Sequence, residues 1–197
     1  RLGRTMIFSE PEGATPITEE QKGELITSHI ATREQLDEWE ATNILEAEEW
    51  AFARKRDVLD ERFLTGLHMR MFGRVWRWAG TFRRTARNIG VDAYRIPMDL
   101  RQLTDDCRYW IENGTYEPDE IAARFHHRLV QIHPFANGNG RHARMATDLL
   151  LVAMGRPRFS WGRVNLVDPG ETRQAYVAAL RAADNHDIGP LLAFVRS

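Results

Sequence analysis

Hydrophobic positions along this chain recur mostly at intervals of three and four, the spacing of helices that bury one stripe. The stretch REQLDEWEATNILEAEEWAFARK predicts a long helix over about residues 33–55, opened by the capping-box pair Thr32-x-x-Gln35. A second such pair, Thr18-x-x-Gln21, marks an earlier helix start. Residues 59–73 read as the next helix, stopped by Gly73. Asp99 is expected to cap a helix that ends near Gly114 and carries Leu100, Leu103, Cys107, Trp110 and Ile111 on one face. Pro118 suits the first turn of a helix reaching about Ile132. Further helices are expected at about 140–154, closed by Gly155 and Pro157, and near 170–184 and 187–196. One segment breaks the rhythm. TFRRTARNIGVDAYRIP, residues 81–97, has no helical period and holds the turn formers Asn88 and Gly90, so it reads as a short irregular hairpin. The expected fold is all-α, with one short β-hairpin flap and no repeat or low-complexity linker.

Composition changes this picture little. The 197 residues suit one domain with a small extension, and six Trp and nine Phe can fill a sizeable core. Twenty-seven Lys and Arg against 28 Asp and Glu give a net charge of -1. That balance argues against a protein that coats nucleic acid, but it leaves room for a local phosphate site. No run of about 18 apolar residues is present, so no membrane span is expected. The single cysteine, Cys107, excludes a disulfide framework and is expected to be a small buried hydrophobe. A cytoplasmic location is the default expectation.

The chemistry is concentrated in HPFANGNGRHAR, residues 133–144. Gly138-Asn139-Gly140 precedes a helix, where a bare backbone and free amides favour a phosphate. Arg141 and Arg144 lie three apart on that helix, so both can face the same anion. Two guanidiniums beside such a turn suit more than one phosphate, as in a nucleoside triphosphate. His133 ends the preceding helix, and Phe135 is the large apolar residue able to pin the loop. A histidine held at the mouth of a phosphate site can accept the proton of an incoming hydroxyl. Phosphoryl or nucleotidyl transfer fits these parts. The other histidines of this region, His126, His127 and His142, lack metal-ligand spacing and are read as structural or solvated. RRTAR, residues 83–87, is read as a target or solvent contact on the flap, and Trp76 and Trp78 as packing residues.

The stretch resembles the signature of the Fic (filamentation induced by cAMP) family, His-x-Phe-x-Asp/Glu-Gly-Asn-Gly-Arg-x-x-Arg. The likeness extends to WAGTFRRTARNIGVD and YVAALRAADNHDIGPLLAF, and is nearest the subgroup called mobile mystery protein B, often paired with a helix-turn-helix protein. The resemblance implies a Fic-type bundle that transfers AMP from ATP to a Ser, Thr or Tyr hydroxyl of a target protein. It implies His133 as general base, with Arg141 in the catalytic set. The nucleotide would be held by Phe135, Asn137, Gly138, Asn139, Gly140, Arg141 and Arg144, and the flap at 81–96 would dock the target by strand addition. Asn137 departs from the family's Asp or Glu, which binds magnesium, and supplies a neutral oxygen instead. Gly140 argues against the kinase-like Doc branch.

TNILEA, Thr42 to Ala47, resembles the family's inhibitory motif Ser/Thr-x-x-x-Glu-Gly/Asn, with Ala47 off the pattern. Glu46 is then expected to pair with Arg144 and block the γ-phosphate. On this reading residues 1–57 form an N-terminal segment with the inhibitory helix, and 58–197 the catalytic core. Two rivals stand beside adenylyl transfer. One is removal of AMP from a modified protein. The other is a catalytically weak nucleotide- or partner-binding module of a toxin–antitoxin-like pair, which Asn137 favours.

Overall fold

The computed structural model describes residues 23–26, 30, 33–163 and 169–197. The capping residues expected at Thr18 and Thr32 lie outside these. Among the described residues seven α-helices follow one another: α1 (Arg33–Phe52), α2 (Glu61–Phe72), α3 (Ile96–Asn113), α4 (Pro118–Ile132), α5 (Asn139–Ala153), α6 (Pro169–Asp184) and α7 (Gly189–Val195). None is long and apolar enough to cross a membrane.

The central element is α5. Ten of its residues, from Asn139 to Leu151, are buried, and they cover almost its whole circumference. A helix buried all round must be enclosed by neighbours. Here α4 packs along it, and α1 and α2 also touch it. The stripe Ile121, Phe125, Leu129 and Ile132 of α4 is buried, as its spacing predicts. The main core joins Leu36, Ala47 and Ala51 of α1 to Leu64, Leu67 and Phe72 of α2, Leu100 and Leu103 of α3, and Ala146 and Leu150 of α5. A second cluster places Ala179, Leu191 and Val195 of the last two helices against Ala122 and Leu151. Cys107 is fully buried, as expected, and burial pushes its thiol pKa far up. On the same face Trp110 is half-buried, but Ile111 turns to solvent.

Helix α1 shows little hydrophobic contrast along its sequence. The reason is that its buried stripe runs Leu36, Glu40, Asn43, Ala47 and Ala51, so two of five inward positions are polar. Both find partners. Asn43 Nδ2 donates to the Arg70 carbonyl at the end of α2, and its Oδ1 accepts from the Arg74 amide. That side chain supplies a cap which the C-terminus of α2 needs.

Two expectations are corrected. Helix α3 starts at Ile96, with Pro97 in its first turn, and Asp99 is not its cap. Asp99 is buried inside the helix, where Arg95 and Arg128 neutralise it at 3.3 Å each. The 81–97 segment forms no hairpin ladder. It makes one isolated antiparallel bridge, Phe82 with Phe135, and ends in a 3-10 turn, Ala93–Arg95. Its main-chain carbonyls are taken up by a side chain, Arg83, in place of a second strand.

Candidate active site

The loop between α4 and α5 is built by its own sequence. Phe135 is fully buried and stacks on the His68 ring, with centroids 3.7 Å apart. His68 Nδ1 accepts from the Gly80 amide at 2.9 Å, which leaves Nε2 to donate to the Asn137 carbonyl at 3.0 Å. Burial holds this imidazole's pKa well below the usual value, helped by His142 nearby, so it is neutral as those two bonds require. Asn139 closes the turn: Oδ1 accepts from the Phe135 amide and Nδ2 donates to the Phe135 carbonyl, both at 2.9 Å. The Asn139 side chain is therefore spent on the loop. What Asn139 offers a ligand is its backbone N–H.

Gly138 and Gly140 have different reasons to be glycine. Gly138 has φ +75°, and a Cβ there would lie 2.5 Å from the Phe72 ring. At Gly140 a Cβ would meet nothing within 4 Å. Protein packing does not demand a bare backbone at residue 140. The first hydrogen bond of α5 runs from His142 N–H to the Gly138 carbonyl, so the amides of residues 139–141 precede the helical ladder. They form the positive end of the helix dipole, where an anion is favoured.

His133 is the C-cap of α4, in the left-handed conformation at φ 52° and ψ 61°. It is 4% exposed. Its pKa is lowered to about 4, first by burial and then by the Arg83 and Arg87 guanidiniums, while the Val130 carbonyl opposes the shift. Near neutral pH the ring is uncharged and able to take a proton.

The two motif arginines occupy different surroundings. Arg141 is half-exposed and lies 4.9 Å over the Phe72 ring. Its Nη1 meets the Glu40 carboxylate of α1 at 2.5 Å. Glu40 is buried, and its other oxygen accepts from the Trp76 indole at 2.6 Å. Arg144 lies over the Tyr176 ring at 4.6 Å and near Trp161 at 5.9 Å. Its Nε is buried without a hydrogen-bond partner. The Tyr176 hydroxyl is in turn tied to His126 Nε2 at 2.8 Å.

This geometry corrects the pairing expected for Glu46. The structure puts Glu46 against Arg74 on the surface, 2.5 Å away, and not against Arg144. The acid that reaches the anion turn is Glu40, six residues earlier. Three residues of the site were missed from sequence, Glu40, Phe72 and Tyr176, and a fourth, Arg83, expected as a target or solvent contact, is buried on main-chain carbonyls. For Glu40 a usable signal existed, because residues 36, 40, 43, 47 and 51 share one helical stripe. Arg83, Phe72 and Tyr176 reach the site only through tertiary packing.

The Asn137 side-chain oxygen accepts from the Gly138 amide at 2.6 Å. No carboxylate stands in residues 133–144, and among the described residues no three His, Cys, Asp or Glu side chains converge as a metal site. The loop thus fits a resident magnesium poorly, offering one neutral oxygen.

Residues 58–151 match the model of the Fic/DOC family. The protein adenylyltransferase Fic of Drosophila grimshawi is 33% identical over 144 residues, which is 71% of this chain and 27% of that protein. The chain spans about a quarter of the length of the curated relatives it matches. Among solved structures, Fic-1 (residues 134–508) of C. elegans superposes with a TM-score of 0.66 at 26% identity, covering 90% of this chain and 52% of that one. The BepC protein of Bartonella tribocorum, solved with bound AMPPNP, superposes with a TM-score of 0.69 at 18% identity over 91% and 97% of the two chains. The matched span contains the loop, both arginines and the helices that hold them: the chain belongs to the Fic/DOC family.

Proposed function

We propose that this chain transfers AMP from ATP to a Ser, Thr or Tyr hydroxyl of a target protein. The observation that carries the reading is a buried, neutral His133 on the same short loop as an anion turn followed by two arginines. The relatives named protein adenylyltransferase and the AMPPNP held by BepC support it. In the step, the target oxygen bonds to the α-phosphorus as the bond to the pyrophosphate oxygen breaks. The hydroxyl proton passes to His133. The amides of residues 139–141, with the Arg141 and Arg144 side chains, take up the charge of the phosphates. Phe135 and Asn139 keep the turn in shape. Magnesium enters on the triphosphate as part of the substrate, and Asn137 Oδ1 is the oxygen this loop can lend it. The reaction is placed in a reducing, ATP-rich cytoplasm, and a helix-turn-helix protein is the proposed partner. Replacing His133 with Ala should leave AMPPNP binding nearly intact and lower AMP incorporation by about 10²- to 10⁴-fold. Incorporation at the parent's rate would remove His133 from this role.

We further propose that the resting chain is restrained by Glu40 and not by the motif residue Glu46. A carboxylate on Arg141 occupies a guanidinium that the phosphates need and puts negative charge where more must arrive. Moving Glu40 off Arg141 releases the site.

A further inference from the structure

A guanidinium outside the signature is built into the site. Arg83 is 5% exposed. Its Nε donates to the His133 carbonyl at 2.6 Å, Nη1 to Thr85 at 3.0 Å, and Nη2 to Val91 at 2.5 Å and Ile132 at 3.3 Å. Its own amide donates to the Pro134 carbonyl at 2.9 Å. One side chain therefore binds four main-chain oxygens, two at the end of α4 and two in the 81–92 segment. A planar fork of five N–H donors can do this; a lysine ammonium cannot span the set. Gly90 lies between the parts. A Cβ there would sit 2.6 Å from Arg83 Nη2 and 2.8 Å from the His133 Cβ, and its φ is +109°.

We propose that Arg83 is the positioning residue for His133, holding the histidine backbone in its left-handed turn and laying the 81–92 segment against it. The inference rests on His133 being the base. A left-handed, non-glycine residue is a sparsely populated conformation that persists where its surroundings over-determine it. Here the carbonyl of the strained residue is gripped directly. Without the grip, His133 can relax and the imidazole shifts from the hydroxyl it must meet. The charge of Arg83 also faces His133, together with Arg87 from the same segment, while Asp92 faces Arg83. Arg83 touches none of the groups assigned to the phosphates, so nucleotide affinity and turnover should separate.

The test uses the full chain with four substitutions: Arg83→Met, Arg83→Lys, Gly90→Ala and His133→Ala. Self-incorporation of labelled AMP gives kcat and KM for ATP, AMPPNP titration gives affinity, and NMR gives the titration of the His133 ring, assigned by its loss in His133→Ala. Arg83→Met should lower kcat by about ten- to a hundredfold with AMPPNP affinity close to the parent's. Its His133 ring should titrate at higher pH than the parent's, because a neighbouring positive charge is gone. Arg83→Lys should keep the parent's titration but not its kcat. Gly90→Ala, which wedges the clamp without removing charge, should lower kcat likewise, and with Arg83→Lys it decides the matter if Arg83→Met fails to fold. An inactive His133→Ala beside parental kcat and titration in the Arg83 and Gly90 variants overturns this inference alone. A fully active His133→Ala overturns the base assignment, and this inference with it.

Discussion

Glu40 and Glu46 sit six residues apart on one helix and meet opposite fates. Glu40 is 5% exposed and binds both the Trp76 indole and Arg141. Glu46 keeps 44% of its side-chain surface in water and pairs with Arg74, which keeps 63%. A pair exposed like that is worth about 0–1 kcal/mol. The buried acid is bonded on both oxygens, and its removal leaves partners without bonds. The motif-like spacing points at the exposed residue; the helical stripe points at the buried one. What an ionisable side chain does here depends on what it is buried with, and a local pattern does not report that.

The sharpest test of this contrast concerns the histidines. His68, His126, His133 and His142 are buried, whereas His186 is exposed. Burial lowers the pKa of His126 to about 3, of His133 and His142 to about 4, and of His68 well below its usual value. The unfolded chain binds protons first as pH falls, at about 6.5. Stability is therefore full above that value and is lost on acidification towards about pH 4. Each buried histidine costs about 1.4 kcal/mol per pH unit inside that window. Urea unfolding at about pH 7.5 and about pH 5.5 should differ by several kcal/mol. Equal stabilities would mean that these rings are not held neutral.

Next in size is the effect of Glu40. Both Glu40→Gln and Glu40→Ala should raise AMP self-incorporation by about tenfold or more, by freeing Arg141. The two variants should separate in stability. Gln keeps an oxygen for the Trp76 indole, while Ala leaves that N–H unpaired and should cost about 1–3 kcal/mol. Rates no higher than the parent's in both variants would show that Glu40 is a structural acid and does not restrain the site. The smallest expected effect belongs to Glu46→Ala: unchanged incorporation and a stability within about 0.5 kcal/mol of the parent. Activation by Glu46→Ala equal to that by Glu40→Gln would erase the contrast.

Much of the fold was legible in the sequence, because most helices are amphipathic and punctuated. Helix α4 falls where Pro118 and its apolar stripe place it, and α5 where the glycine turn starts it. The misjudged places were those where polar residues point inward. Asp99 reads as a cap by residue type, but Arg95 one turn before it and Arg128, distant in sequence, permit its burial. The 81–97 segment reads as a hairpin because nothing in it announces that Arg83 will satisfy its carbonyls. Within the site, Phe135 was legible as the residue that pins the loop, whereas the Asn139 side chain, expected on the nucleotide, is spent on the Phe135 backbone. Residues delivered by other helices, such as Phe72 of α2 and Tyr176 of α6, were not legible.

The His68 ring has a mechanical meaning beyond its share in the core. It works as a strut between two chain segments, accepting from Gly80 at one end and donating to Asn137 at the other, with the Phe135 ring laid flat against it. A strut of this kind has one workable tautomer. A proton added to Nδ1 would turn the acceptor into a donor facing the Gly80 N–H, and the segment leading into Arg83 would lose its anchor on the loop. Protonation of this ring would thus distort the spacing between the 81–92 segment and the 138–140 turn, so the strut holds only while burial keeps the imidazole neutral.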